Sequence, residues 1–289
     1  MTTDALMNLN SACACDLIVK MERSSLQSLL PKVQAIAQRA GAFIRRERNG
    51  FTYDKVEIKG LNDLVSHVDK GAEQMIVEDL QRVLPEAGFV VEENTRSEMR
   101  DYNWIVDPLD GTTNFVHGIP SYAVSIALEH AGRVVLGVVY EVSRDECFTA
   151  VEGGGAFLNG TAISVSKRRN LSESLVATGF PIYNFSRIDS YLKTLEWCMR
   201  NTHGVRRIGA AAVDLCYLAC GRVDVFFEYN LNAWDVAAGA LIVTEAGGTV
   251  SDFKGEGNWL FGKEILCTNA LLKEAFTDLI LSNFKGSIP

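Results

Sequence analysis

The chain has 289 residues, 47% of them hydrophobic and 22% charged, with a formal net charge of −8 and a pI near 5.1. That is the composition of an ordinary globular protein able to bury a large core, in one large domain or two intimately packed ones. It excludes global disorder, and its acidity offers no footprint for wrapping nucleic acid.

From Leu26 the apolar residues Leu29, Leu30, Val33, Ile36, Ala37, Ala40, Phe43 and Ile44 recur at three and four, which predicts an amphipathic helix stopped near Asn49-Gly50. Residues 1–24 read as a poorly ordered lead-in. A second helix is expected from Lys70 to Leu84, ended by Pro85, and a short strand from Gly88 to Val91 delivers Glu92 and Glu93. The apolar run Trp104 to Val106 follows as a strand that ends in Asp107. Tyr122 to Glu129 and Arg133 to Tyr140 are β-rich and joined by His-Ala-Gly-Arg, and Cys147 to Val151 and Ile163 to Val165 continue the meander. Gly153-Gly154-Gly155 reads as a turn there, because no Lys-Ser/Thr follows to make it a phosphate loop.

Beyond Leu171, strands at Val176 to Gly179, Val223 to Glu228 and Thr249 to Phe253 alternate with helices at Ser186 to Arg200, Ala211 to Cys220 and Trp234 to Ala246. An antiparallel-sheet α+β half over residues 25–168 and an α/β half over 169–289 are expected, stacked as helix and sheet layers.

The seven cysteines are an odd number without a Cys-x-x-Cys pair, which argues against a disulfide framework or a zinc site and for reduced cytoplasmic thiols. Cys216 and Cys220 read as core residues of one helix face. No apolar run approaches the roughly 18 residues of a membrane span, and no basic segment followed by an apolar one marks a secretory signal. His67, His117, His130 and His203 lack zinc-type spacing and read as structural or exposed. The basic runs Arg45-Arg46-Glu47-Arg48 and Lys167-Arg168-Arg169 read as solvated faces.

The chemistry concentrates in Asn103-Trp104-Ile105-Val106-Asp107-Pro108-Leu109-Asp110-Gly111-Thr112-Thr113-Asn114-Phe115. Pro108 biases Asp107 towards an extended conformation, so Asp107 is expected as the last residue of its strand, followed by a turn at Asp110-Gly111. Thr112 or Thr113 is the expected N-cap of the next helix. Hard cations would take the oxygens of Asp107 and Asp110 and the Leu109 carbonyl, while a phosphate would take the N–H groups of Gly111 and Thr112 at the helix start. Both ligands in one place are what metal-assisted phosphoryl transfer to water requires.

This stretch resembles the D-P-[IL]-D-G-T-[TK]-N-F signature of the inositol monophosphatase family, the lithium-sensitive, magnesium-dependent sugar-phosphate phosphatases. Trp234-Asp235-Val236-Ala237-Ala238-Gly239 through Glu245-Ala246-Gly247-Gly248 resembles the family's second signature, and Lys59 with Asp63 to Asp69 its K-G-x-x-D-x-V-[ST]-x-x-D segment. Glu92-Glu93 resembles its Gly-Glu-Glu motif, with Val91 in place of the glycine. The resemblance spans about Leu26 to Leu281 and implies the αβαβα layered sandwich of the sugar phosphatases, as a homodimer.

The resemblance further implies that Glu92, Asp107, the Leu109 carbonyl, Asp110 and Asp235 hold Mg²⁺, with Asp107 bridging two ions and Asp69 holding waters on a third. Glu92 and Thr112 would activate the attacking water, and Lys59 would lie near a mobile loop. Glu228 would accept a substrate hydroxyl, with Gly209, Ala210 and Ala211 facing the ring and Asp110 and Asp235 completing the substrate contacts. Ala210 stands where the family carries a hydroxyl residue, which implies one substrate hydrogen bond fewer on that side. Thr113-Asn114 favours an inositol monophosphate over the substrates of sister phosphatases (histidinol phosphate, phosphoadenosine nucleotides, fructose bisphosphate). A small phosphate monoester is thus the expected partner, with no membrane and no direct nucleic-acid binding. A regulatory role in transcription complexes on the same scaffold stays open, and nothing in the sequence predicts it.

Overall fold

The computed structural model describes residues 21–51, 56–60, 63–93, 98–181 and 184–284, with the backbone alone at 56–60 and 63–66. Most of the expected lead-in lies outside the described residues, but its last part does not hold as loop, because α1 (Arg23–Asn49) begins inside it. The predicted stripe of α1 is the one buried, from Leu26 and Leu29 to Ile44. β1 (Val56–Gly60) and β2 (Asp63–Ser66) pair as an antiparallel ribbon whose register shifts between Ile58 and Gly60. α2 (His67–Val83) starts three residues before the expected Lys70, which places Asp69 in its first turn, where a carboxylate suits the free N–H groups.

A large sheet follows, made of β3 (Gly88–Val91), β4 (Tyr102–Asp110), β5 (Ala123–His130), β6 (Arg133–Glu141), β7 (Glu146–Val151), β8 (Ala156–Leu158) and β9 (Thr161–Ile163), in that spatial order. The β5–β6 hairpin turns on Ala131 and Gly132, both at positive φ, as the two-residue loop demands. The expected antiparallel half needs one correction: β3 and β4 are parallel. The chain first reverses, Glu98 bridging Phe89 in antiparallel fashion, and then returns alongside β3. The last expected strand of this sheet, at Ile163 to Val165, sits earlier, as β9.

The second sheet has the order β11-β10-β12-β14-β13. It is built from β10 (Leu175–Thr178), β11 (Gly204–Arg206), β12 (Val225–Tyr229), β13 (Gly248–Ser251) and β14 (Glu264–Asn269). β10 is parallel to β11 and β12, whereas β14 is antiparallel to β12 and β13. Its helices are α4 (Ile188–Asn201), α5 (Ala211–Ala219), α6 (Ala233–Glu245) and α7 (Lys273–Phe284). α5 ends one residue short of Cys220, which is its half-buried C-cap; only Cys216 belongs to the helix core.

Side-chain alternation divides the interior into three cores. β4 sends Trp104 and Val106 into the core under α1 and α2, and Ile105 to the opposite side. β12 sends Phe226 into that second core, where α5 and α6 lie, and Val225, Phe227 and Tyr229 into a third under α4 and α7. The layers therefore run helix, sheet, helix, sheet, helix. α5 and α6 are apolar almost all round because sheets bury them from both sides. Glu245 near the end of α6 accepts the N–H groups of Gly153 and Gly155 at 2.7 and 2.8 Å, so the triple-glycine turn anchors a helix.

Candidate active site

The acidic stretch differs from its predicted geometry. β4 does not end at Asp107 but runs to Asp110, and its register with β5 shifts between the two aspartates. Pro108 has no N–H to donate, so pairing lapses there and resumes two residues on, which is a bulge in place of a strand end. The bulge turns Asp107 back on itself: its Oδ1 accepts the Leu109 N–H at 2.9 Å. The sharp turn falls on Gly111, at φ 87°, and a Cβ there would stand 3.0 Å from the Ser121 carbonyl. Gly111, and neither threonine, is thus the N-cap of α3 (Thr112–His117). The Thr112 hydroxyl is committed elsewhere, within 2.8 Å of Asp69 Oδ1 and 2.9 Å of the Leu109 carbonyl.

The neighbouring carboxylates arrive by register and by helix starts. Val91 pairs with Val106, so the next residues, Glu92 and Asp107, lie side by side and their carboxyls share a hydrogen bond. Behind them the buried Glu73 of α2 accepts the Glu93 N–H at 2.7 Å and fixes that turn. Asp110 reaches across to α5, taking the N–H groups of Ala211 and Ala212 at 3.2 and 2.8 Å. Asp235, in the first turn of α6, accepts the Asn232 N–H at 2.6 Å, and Glu228 lies near the end of β12.

One cavity of about 160 Å³ gathers them. It is lined by Glu92, Asp107, Leu109, Asp110, Gly111 and Thr112 from one side and by Gly209, Ala210, Ala211, Glu228 and Asp235 from the other. Of the predicted residues, Asp69 stands one hydrogen bond behind the wall, at Thr112. Lys59 lies in β1, its side chain outside the described residues. Ala210 is the N-cap of α5 and contributes no capping bond; Asp110, from the other sheet, caps that helix instead.

Burial and mutual repulsion set the electrostatics. Desolvation first, then the charges of Glu92, Asp110 and Asp235, pushes Asp107 well above the usual carboxylate range. Desolvation and Asp235 do the same to Glu92. Asp110 is raised to about 7 by burial and by Asp235, against its two backbone donors and Arg207. Burial raises Asp235 to about 6, opposed by the Asn232 N–H and Lys263, and burial with Asp235 raises Glu228 to about 8.

No three His, Cys, Asp or Glu side chains among the described residues converge as a preformed ion cage. Asp110 and Asp235 are instead turned to backbone N–H groups, and Glu92 and Asp107 to each other. The donor chemistry nonetheless fits a hard cation: several oxygen ligands are buried together, and Glu92 and Asp107 must share a proton in the place where a cation's charge would serve both.

Sequence reasoning missed Glu73, Arg207, Asp214 and Asn114. Glu73 had a signal, since it follows Asp69 by four on the apolar face of α2. Asp214 had another, as a carboxylate inside an otherwise apolar helix. Arg207 had none, being one of two adjacent arginines in a short polar segment. Asn114 stood inside the signature without a role; its Nδ2 donates to the carbonyls of Ser121 and Ile208 at 2.8 and 2.9 Å.

A layered α/β sandwich with buried carboxylates at a bulged strand and two helix starts defines a narrow class of protein, and comparison with known proteins agrees. The inositol monophosphatase family matches residues 25–287. The chain is 42% identical over 257 residues to an inositol-1-monophosphatase of Mesorhizobium japonicum, covering 88% of this chain and 96% of that protein. It is 41% identical over 269 residues to a Nus factor SuhB of Pseudomonas aeruginosa, covering 91% and 99%. The crystal structure of the extragenic suppressor protein SuhB from Bartonella henselae superposes with a TM-score of 0.81 at 42% identity, covering 91% of this chain and 99% of that one. The chain belongs to the inositol monophosphatase family.

Proposed function

We propose that the chain is a Mg²⁺-dependent phosphomonoesterase that hydrolyses inositol monophosphates and related polyol phosphates. The observation that supports this most is the meeting, in one cavity, of Glu92, Asp107, Asp110 and Asp235 beside the start of α3. About two to three Mg²⁺ ions, held by Glu92, Asp107, the Leu109 carbonyl, Asp110 and Asp235, with Asp69 serving the third, would supply Lewis-acid polarisation of the phosphate and an acidified water.

The chain's own groups do the rest. The N–H groups of Gly111 and Thr112 orient the phosphate. Glu92 and the Thr112 hydroxyl hold the attacking water; Thr112 takes a proton from it while passing its own to Asp69, 2.8 Å away. Glu228, at the far wall, accepts a ring hydroxyl. The Ala211 N–H is engaged by Asp110, so Ala211 shapes the wall without donating to the ring. A cytoplasmic homodimer inhibited by lithium belongs to the same reading, and the unpaired state of all five described cysteines suits a reducing compartment.

The test is phosphate release from a panel of inositol, sugar, histidinol and nucleotide monophosphates and fructose bisphosphate, with and without Mg²⁺. Turnover of inositol monophosphate only with Mg²⁺ supports the reading; preference for a nucleotide or histidinol phosphate replaces it with a sister activity. The similarity to proteins named Nus factor SuhB favours a second, concurrent role as a partner in transcription complexes. Copurification with RNA polymerase components tests that role.

A further inference from the structure

Beyond the carboxylates the cavity is lined by residues that no step above uses, among them Phe180, Arg207, Asp214 and Asn230. Phe180 keeps 48% of its surface exposed, an unusual state for a phenylalanine, and it stands edge-on to Tyr191 with ring centroids 6.4 Å apart. The Arg207 guanidinium lies over the Phe180 ring, 5.5 Å from its centroid. Its Nη1 also lies close to Gly209, where a Cβ would collide with it and where φ is 95°. A long and otherwise mobile cation thus rests against an aromatic ring and a bare backbone, at the exposed edge of the cavity. Its charge acts on Asp110, Asp214 and Glu228. Near it Asp214 Oδ1 and Asn230 Nδ2, an acceptor and a donor, are buried without partners.

We propose that Arg207 is a specificity-determining residue that, together with Glu228, reads the non-reacting hydroxyls of a polyol phosphate. The inference rests on the phosphatase reading above. A guanidinium only donates, the Glu228 carboxyl offers an acceptor oxygen in either protonation state, and each hydroxyl both donates and accepts. Neighbouring hydroxyls of one ring can therefore accept from Arg207 and donate to Glu228, satisfying two groups that water otherwise serves. A second phosphate on the substrate fits less well, because one guanidinium stands there among three acids, Asp110, Asp214 and Glu228, that lose protons as pH rises. A plain aryl phosphate has no hydroxyl for Arg207 to read.

The experiment is steady-state kinetics, with Mg²⁺, of the full chain and its Arg207→Ala and Arg207→Lys variants on inositol 1-phosphate, p-nitrophenyl phosphate and fructose 1,6-bisphosphate. In Arg207→Ala the ratio of kcat/KM for inositol 1-phosphate to that for p-nitrophenyl phosphate is expected to fall about 10- to 100-fold, chiefly through KM, as loss of a charge-assisted hydrogen bond implies. Arg207→Lys keeps the charge but not the fork and is expected to recover part of that ratio. A ratio unchanged from the wild type overturns the inference and leaves Arg207 a structural role. A larger loss on the bisphosphate than on inositol 1-phosphate also overturns it, in favour of a second anion site. Absence of turnover of any of the three by the wild type refutes the phosphatase reading itself.

Discussion

Glu92 follows β3 and Asp107 lies within β4, and the parallel register of the two strands sets their carboxyls next to each other. Burial and Asp235 hold both titrations up, Glu92 adds to that of Asp107, and Asp110 and Asp235 are themselves raised to about 7 and about 6. A cation entering at neutral pH must displace protons. Mg²⁺ affinity is accordingly expected to rise between about pH 6 and pH 8, with buffer-dependent heats in calorimetry that report the released protons; an affinity flat across that range contradicts this.

Asp214 makes a separate prediction. Burial, then Glu228 and Asp110, hold it well above the value near 3.9 of an exposed aspartate. A raised folded-state value means its contribution to stability is complete below the unfolded value and is lost as pH rises towards the folded one. Asp214→Asn removes that loss. Its melting temperature relative to the wild type should climb from pH 5 to pH 8 in a thermal-shift series, whereas a constant difference would mean that Asp214 does not titrate with folding. The residue types of the site were legible because carboxylates ended apolar strands and began helices. Asp214 was legible only as a carboxylate inside an otherwise apolar helix; that it faces Asp110 and Glu228 was not, since those come from other elements.

At the scale of elements, what positions the site is the contact between α3 and the start of α5. Asn114 donates from α3 to the Ser121 and Ile208 carbonyls, and Asp110 caps α5 from the other sheet. Asn114→Ala would strand two half-buried carbonyls and loosen the helix start proposed for phosphate. A loss of about 1 to 3 kcal/mol in denaturant unfolding is expected, with weaker inhibition by inorganic phosphate. Unchanged stability would show that solvent replaces both bonds. Long periodic elements such as α1 and the hairpin β5–β6 were readable from spacing. β8 and β11 were not, since three residues carry no period, and β9 was placed two residues late; the bulge at Pro108 was misread because a proline that interrupts pairing looks locally like one that ends a strand.

Across the whole molecule, the acid that follows β3 and those of β4 face those of β12 and α6 through one cavity. Folding brings these acids together there, at a cost that the proposed cations would offset. Mg²⁺ at 100 times its dissociation constant should add about 2.7 kcal/mol of stability, a rise of several degrees in melting temperature, and EDTA should reverse it. The layer order itself followed from the resemblance and from alternating elements. The capping of α5 by Asp110 did not, since it joins residues about a hundred positions apart that no periodicity links.

Catalysis by a site assembled from both sheets is the central claim, and a double-mutant cycle tests it. Mg²⁺-dependent phosphate release from inositol 1-phosphate would be measured for the wild type, Asp107→Asn, Asp235→Asn and the double variant, each checked for an unaltered circular dichroism spectrum. Each single change should lower kcat/KM by more than the roughly 10- to 100-fold typical of residues that only support a metal ligand. The double variant should be little worse than the singles, because the two carboxylates act as one unit. Substantial Mg²⁺-dependent turnover in either single variant, or losses that multiply in the double, would contradict the account.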